Sequence, residues 1–262
     1  VHRYPDRALL KLTAICPVHC RFCFRTVMIG PASGGQLSAS ELDAALAYLA
    51  ATPSIWEVVV TGGDPLALSP RRIREITQRL DAIEHVKVIR WHSRVPIVSP
   101  QAITDDFVSA LTATTRTVYV AVHTNHAQEQ TPAVAEACLR LRKAGVVLVG
   151  QSVLLKDVND SVEALSELMR SCVALGIKPD YLHLLDRAPG TSHFRVPLAR
   201  AVELVAAMRG HVSGLCQPNL MLDLPGGHGK VAIPVSDVVD FGAGRYRVRD
   251  FSGREHIHTD PV

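Results

Sequence analysis

Long hydrophobic runs, a strong net charge and abundant cysteine are all missing from this sequence, and each absence excludes a class of protein. No apolar run approaches the roughly 20 residues that span a bilayer, and the first residues, VHRYPDR, lack the apolar segment of a signal peptide. The net charge of +3 over 262 residues is too small to indicate binding to nucleic acid or to a membrane surface. We therefore expect a globular enzyme with no nucleic-acid or membrane partner.

Cysteine is scarce, and its distribution is uneven. Six cysteines in a chain of this length do not indicate a disulfide scaffold. Cys16, Cys20 and Cys23 lie within one short stretch, which indicates metal binding in a reducing compartment such as the cytoplasm. The scattered cysteines are predicted to be buried structural thiols; they are Cys138, Cys172 and Cys216.

Apolar runs alternate with amphipathic ones along most of the chain. Val/Ile/Leu-rich runs predict strands over 8–15, 56–61, 85–91, 117–122, 146–153 and 180–185. Helical patterns lie between them, over 39–51, 70–82, 104–113, 131–144, 161–175 and 197–209. Repeated strand–helix units predict a parallel sheet, for which a doubly wound sheet and an incomplete TIM-like barrel are both possible. A Gly/Pro-rich stretch over 213–234 and a strand-poor tail end this pattern.

The loop after the first predicted strand carries the clearest chemical signal. Thiolates separated by three and two residues, as in Cys16, Cys20 and Cys23, can face one small site, and such thiolates hold iron–sulfur clusters. No fourth cysteine is near, so one iron would stay open to a small molecule. A structural zinc would need a fourth protein ligand; His19 is the candidate, but it lies inside the loop and would have to fold back.

Two further motifs contain paired glycines. Thr61–Pro65 (TGGDP) follows the second predicted strand, where glycines let the backbone approach a ligand closely; the alternative is an ordinary turn. The segment DLPGGHGK ends at Lys230 and does not match the phosphate-binding P-loop pattern. A lysine on such a turn could form a Schiff base with pyridoxal 5′-phosphate (PLP), or it could simply be a solvated loop lysine.

Taken together and in this order, the motifs resemble the lysine 2,3-aminomutase branch of the radical S-adenosylmethionine (SAM) superfamily. The resemblance runs from HRYPDR through CPVHCRFC, TGGDPL, HSRVPIV, HTNH, GQSVLLKDVND and HFRVP to PGGHGK. It implies an incomplete TIM-like (β/α)6 barrel of parallel strands over 1–212, with 213–262 packed on the same domain and closing the cofactor site. It also implies a [4Fe–4S] cluster, SAM and PLP as cofactors, and an isomerase that interconverts L-lysine and β-lysine by 1,2-amino migration.

The resemblance also implies a role for each matching residue. The implied cluster ligands are Cys16, Cys20 and Cys23. The residues implied to contact SAM are Gly62, Gly63, Asp64, His123 and Gln151. PLP would be carried by Lys230, with its phosphate held by Arg3 and Arg7, whose forked guanidinium groups suit phosphate oxygens. The substrate carboxylate would be bound by Arg25 and the distal ammonium by Asp186 and Asp223.

Some alternatives stay open. In the translation-factor branch of the family, lysine is isomerised for attachment to elongation factor P, and HLLDRAPGTSHF resembles that branch too. A noncatalytic iron–sulfur protein would keep the three cysteines but have no use for Lys230, Arg3 and Arg7. The expected partners are a small amino-acid substrate and a reducing electron donor, and the resemblance leaves open whether the chain forms a homo-oligomer.

Departures from the family add two expectations. Relatives that hold a structural zinc use cysteines where this chain has Ser161 and a cysteine-free tail, so we expect no such zinc. The chain begins at Val1 almost directly before a strand, which predicts that the family's N-terminal helical region is missing from it.

Overall fold

Nine strands form one sheet, and their order across the sheet is their order along the chain. The computed structural model describes residues 1–29, 35–224, 228–234, 238–243, 245–249 and 253–259. The strands are β1 (His2–Tyr4), β2 (Arg7–Thr13), β3 (Glu57–Gly62), β4 (Val88–Ser93), β5 (Thr117–His123), β6 (Val147–Leu154), β7 (Lys178–Leu184), β8 (Asn219–Leu224) and β9 (Gly229–Ala232).

The pairing of these strands decides between the two predicted architectures. Neighbours from β2 to β8 pair in parallel, whereas β1 and β9 pair antiparallel at the two edges. A doubly wound sheet reverses its strand order at a switch point, and this sheet does not. Its two edges meet, because the Tyr4 hydroxyl on β1 accepts a hydrogen bond of 2.9 Å from the main-chain nitrogen of Lys230 on β9. The predicted barrel is therefore confirmed.

Helices follow the parallel strands and cover the outside of the barrel. They are α1 (Ala39–Ala50), α2 (Pro70–Asp81), α3 (Val95–Val98), α4 (Asp105–Leu111), α5 (Pro132–Lys143), α6 (Val162–Ala174) and α7 (Leu198–Met208). Side-chain oxygens accept main-chain hydrogen bonds at the start of five of them, as N-caps do. These caps are Ser38, Ser69, Thr104, Thr131 and Ser161.

The core lies between the outer face of the sheet and the helices. Val60 on β3, Ile89 and Trp91 on β4 and Leu80 on α2 are all fully buried there. Side chains alternate along a strand. The residues next to these buried ones on β3 and β4 therefore point into the barrel. His92 is one such residue, and it lines a cavity at the carboxyl end of the strands.

All six predicted strands and all six predicted helices are present with small shifts of their ends. The six-strand count was wrong, since β8 is a seventh parallel strand within the stretch interpreted as Gly/Pro-rich. Pro218 before it and Asp223 within it interrupt the apolar run that would have revealed it. The glycine-containing segment 225–227 lies outside the described residues.

The tail is richer in strands than the sequence indicated. A second, antiparallel sheet contains β10 (Val238–Asp240), β11 (Arg245–Arg249) and β12 (Glu255–Thr259). β11 alternates charged and apolar residues rather than forming a Val/Ile run, which is why the strand was missed. Within the described ranges, no helix is both long and apolar enough to cross a membrane.

Candidate functional site

The carboxyl ends of the barrel strands surround one open cavity of about 1010 Å³. All the predicted site residues except Arg3, Arg7 and Gly62 line it. The predicted residues on its wall are Cys16, Cys20, Cys23, Arg25, Gly63, Asp64, His123, Gln151, Asp186, Asp223 and Lys230.

The cysteine loop forms one side of this cavity. Cys16, Cys20 and Cys23 are half-buried, unpaired by disulfides, and close enough for the latter two to raise the pKa of Cys16. Burial, followed by the carboxylate of Asp64, raises the pKa of Cys16 to about 11, and burial also raises the pKa of Cys20. Thiolates are the ligands of iron, so Cys16 and Cys20 need a nearby positive charge in order to ionise. A bound iron–sulfur cluster would supply that charge.

His19, the candidate zinc ligand, lies away from the cavity. His19 is exposed, its Nε2 lies 3.3 Å from the Thr26 hydroxyl, and it does not line the cavity. Over the part of the chain that is described, no three His, Cys, Asp or Glu side chains converge on a single metal ion. A cubane cluster differs from such a site, because each thiolate binds a different iron. The three thiols therefore fit a cluster better than a zinc ion.

The remaining cysteines are core residues and do not line the cavity. Cys138, Cys172 and Cys216 are 0%, 1% and 3% exposed and belong to the hydrophobic core. Burial raises the pKa of Cys138 to about 11 and that of Cys172 to about 12. Their predicted burial is confirmed.

Gly62 and Gly63 hold the end of β3 against the cysteine loop. Gly62 has a φ of +130°, and a Cβ on it would collide with the carbonyl oxygen of Thr13. A Cβ on Gly63 would collide with the carbonyl oxygen of Ile15, directly before Cys16. The amide of Gly63 donates to Thr13, and that of Asp64 donates to the Ile15 carbonyl at 2.8 Å. Contact of these glycines with SAM, which the family resemblance implies, stays a prediction; the structure shows that the two glycines brace the loop.

Asp64 has an internal role that the sequence did not reveal. It is 5% exposed and accepts hydrogen bonds from the Ser93 hydroxyl and the Arg94 amide, both at 2.7 Å, and from the Leu66 amide at 3.1 Å. Burial raises its pKa, and these hydrogen bonds act against the rise. Asp64 thus ties the end of β3 to the end of β4 and holds the backbone of Arg94.

Two arginines face the cavity with unused donors. Arg94 pairs through Nη2 with Glu129, while its buried Nε and Nη1 have no hydrogen-bond partner among the described residues. Arg25 donates from Nη1 to the Thr61 hydroxyl at 3.2 Å, and its Nε is likewise unpartnered within that part of the chain. Burial lowers the pKa of Arg25. Both side chains could bind an anionic group, and no role had been assigned to Arg94.

A pair of histidines lies deeper in the barrel. His92 Nδ1 and His123 Nε2 are 3.2 Å apart, so one ring donates a hydrogen bond to the other. Burial lowers the pKa of His123 to about 3 and holds that of His92 well below its usual range. The pair is therefore neutral at physiological pH. His123 was a predicted site residue, whereas its partner was missed.

The acidic pair and the lysine also line the cavity, on and after β7, β8 and β9. Lys230 Nζ lies 2.7 and 2.6 Å from the two carboxylate oxygens of Asp223, and His183 Nδ1 lies 3.3 Å from one of them. Burial would raise the pKa of Asp223, but the nearby His183 ring and the hydrogen-bonded Lys230 ammonium outweigh it and lower the pKa. Burial raises the pKa of Asp186, and the charge of Asp223 adds to the effect.

Arg3 and Arg7 lie outside the cavity wall. Arg3 is exposed. Arg7 pairs with Asp6 at 2.7 Å and stacks over the Tyr4 ring, 3.9 Å from its centroid. Tyr4 in turn contacts the backbone of Lys230. Only the Tyr4 side chain therefore links Arg7 to the lysine.

Comparison with known proteins decides the family of this site. A model of the radical SAM superfamily matches residues 10–169, which contain the cysteine loop and the glycine brace. The chain belongs to the radical SAM superfamily. Its fold agrees with that of a radical SAM methyltransferase from Sphaerobacter thermophilus (TM-score 0.58, 19% identity, covering 86% of this chain and 68% of that one). Methylornithine synthase is also similar (TM-score 0.52, 14% identity, 83% and 64% covered).

Curated radical SAM relatives of this chain are named L-lysine 2,3-aminomutase. The protein from Fusobacterium nucleatum is 38% identical over 99% of this chain and 61% of its own length. That from Acetoanaerobium sticklandii is 37% identical over 99% and 62%, and that from Escherichia coli is 37% identical over 86% and 66%. The chain thus spans about 60% of the length of the first two relatives.

The close contact of Gly62 and Gly63 with the cysteine loop predicts that substitution there lowers stability and iron binding. Gly63→Ala should push the cysteine loop off β3, lower the free energy of unfolding by about 1–3 kcal/mol, and reduce the iron bound after reconstitution. Urea unfolding and iron analysis measure the two effects. Gly214→Ala is the control, because nothing lies within 4 Å of a Cβ there, and it should change stability by less than about 0.5 kcal/mol. Unchanged stability and iron content in Gly63→Ala would contradict the brace.

The buried histidine pair predicts loss of stability in mild acid. Their folded pKa values lie below the unfolded value of 6.5, so the unfolded chain takes up protons first as the pH falls below 6.5. Each ring should then cost about 1.2 kcal/mol per pH unit near pH 5.5. Urea unfolding between pH 7 and 5.5 measures the slope, which His123→Gln should reduce by about one proton. An equal slope in the variant would show that His123 is protonated in the folded protein.

Proposed function

We propose that this protein is a radical SAM, PLP-dependent lysine 2,3-aminomutase that interconverts L-lysine and β-lysine by moving an amino group between adjacent carbons. One observation carries the proposal: a single cavity contains the three-cysteine loop, Lys230 and an acidic pair. The first supports radical initiation, the second cofactor attachment, and the third recognition of a cationic substrate. The names of the curated relatives point to the same reaction.

The cluster would be held by Cys16, Cys20 and Cys23. Their shared wall supplies no fourth thiol, so one iron is left for the amino and carboxylate groups of SAM. PLP would be attached to Lys230, whose amine already lies within the cavity. When bound, the reduced cluster supplies an electron that splits SAM into methionine and a hydrogen-abstracting radical, and PLP holds the migrating nitrogen and delocalises the unpaired electron.

The charged side chains of the cavity match the charges of the substrate. Asp186 and Asp223 provide negative charge for the distal ammonium of lysine, and Arg25 provides positive charge for the carboxylate. Arg94 is a second candidate for the carboxylate, since its buried Nε and Nη1 lack partners over the described residues. A desolvated ammonium needs such a partner, which favours lysine over an amino acid with an acidic side chain.

Asp223 can bind two cations, the ammonium of Lys230 and the distal ammonium of the substrate. Its carboxylate accepts both hydrogen bonds from the Lys230 ammonium. With PLP bound, Lys230 would hold the cofactor, and the carboxylates of Asp186 and Asp223 would hold the distal ammonium of the substrate. Asp223 Oδ1 and Oδ2 are also placed to take a proton from Lys230 Nζ as the amine becomes nucleophilic.

Apolar side chains form part of the wall of the cavity. Leu184, Leu185 and Val153 line it beside the acidic pair, and Phe22 and Phe24 line it beside the cysteines. Apolar walls strengthen the ionic contacts inside the site and keep reactive species from solvent. Free lysine is the substrate favoured by the relatives' names; delivery of β-lysine to elongation factor P is the alternative fate of the product.

The direct test is conversion of lysine by the reconstituted protein. Loaded anaerobically with iron, sulfide, PLP and SAM and then reduced, it should produce β-lysine from L-lysine, and Lys230→Ala should produce none. Asp186→Asn should lower kcat/KM for lysine at least about 30-fold, because the ammonium loses a buried charged partner. Chromatography of derivatised amino acids measures the product.

Asp43→Asn is the matched control for the aspartate substitution. Asp43 is an exposed residue of α1 paired with Arg79, so its loss should leave the kinetics at the wild-type level. The proposal is wrong if the loaded protein cleaves SAM but leaves lysine unchanged. It is also wrong if a cluster forms while PLP fails to attach to Lys230, which would favour the noncatalytic alternative.

A further inference from the structure

The two edges of the sheet meet through one tyrosine side chain. β1 and β9 are edge strands, and an edge strand presents main-chain groups that its own sheet does not use. The Lys230 amide on β9 donates to the Tyr4 hydroxyl on β1 at 2.9 Å. The seam of the barrel is thus closed at the residue that carries the amine of the cavity.

The Tyr4 hydroxyl is held from two sides. The Arg7 guanidinium stacks on its ring at 3.9 Å from the centroid, a cation–π contact. Gly229 fits beneath it: a Cβ there would lie 2.7 Å from the hydroxyl, and the φ of +94° favours glycine as well. The close contact with Gly229 leaves the hydroxyl beside the Lys230 amide.

We propose that Tyr4 is a positioning residue for Lys230, which it fixes by its main chain so that Nζ lies between Asp223 and the cavity. The proposal rests on the proposed function, in which Lys230 binds PLP. A lysine side chain has four rotatable bonds and can point in many directions. Anchoring its backbone across the seam restricts where the amine can react. Tyr4 does this without touching the reacting atoms.

Tyr4→Phe tests the proposal by removing only the hydroxyl, since the ring that stacks on Arg7 remains. Loss of one neutral hydrogen bond should weaken attachment of PLP to Lys230 about fivefold. Titration of the protein with PLP, followed by borohydride reduction and mass spectrometry of the Lys230 peptide, measures attachment without SAM, cluster or turnover.

Tyr48→Phe is the matched control. Its hydroxyl lies 2.8 Å from His2 Nδ1, so it also contacts β1, but at the outer helix α1 and not at Lys230. The proposal expects wild-type attachment in this variant. Equal weakening in both variants, with equally lowered thermal unfolding midpoints, would mean that β1 is merely loosened and would overturn the proposal.

The remaining outcomes separate this proposal from the proposed function. Wild-type attachment in Tyr4→Phe, with attachment lost in Lys230→Ala, would overturn the role of Tyr4 and leave the function standing. No attachment of PLP to Lys230 in the wild-type protein would overturn the function and, with it, this role.

Discussion

The close approach of β3 to the backbone in front of Cys16 is the contact on which the site depends. Without a side chain at Gly62 and Gly63, the amides of Gly63 and Asp64 reach the carbonyls of Thr13 and Ile15. That approach places the cysteine loop over the mouth of the barrel, rather than beside it. Asp64 then extends the same bracing to β4 and Arg94. The position of the cysteine loop at the cavity therefore depends on packing of the β3 backbone against the backbone before Cys16.

Charge is distributed across the cavity in a way that backbone packing alone does not explain. Thiols, arginines, the acidic pair and Lys230 all line one cavity. A histidine pair that burial keeps neutral lines it as well. Under the proposed function, the acidic pair and the arginines give this cavity charges complementary to those of lysine.

Much of this could be predicted from the sequence because the signals are local. Buried parallel strands need continuous Val/Ile runs, and the helix caps are single residues such as Ser161. β8 was not predicted because Asp223 interrupts its apolar pattern. Asp223 is a site residue, so a polar residue needed at the site removes the sequence signal of the strand. The roles of Arg94, His92 and Tyr4 depend on contacts between residues 30 or more positions apart, such as Tyr4 with Lys230. No local pattern reports such contacts.

The most direct test of the account concerns the iron that lacks a protein ligand. The protein should be reconstituted anaerobically, reduced, and examined by electron paramagnetic resonance with and without SAM. The account predicts a [4Fe–4S] signal whose shape changes when SAM is added, because the amino and carboxylate groups of SAM bind that iron. A cluster signal that SAM leaves unchanged, or iron bound without a cluster, would contradict it.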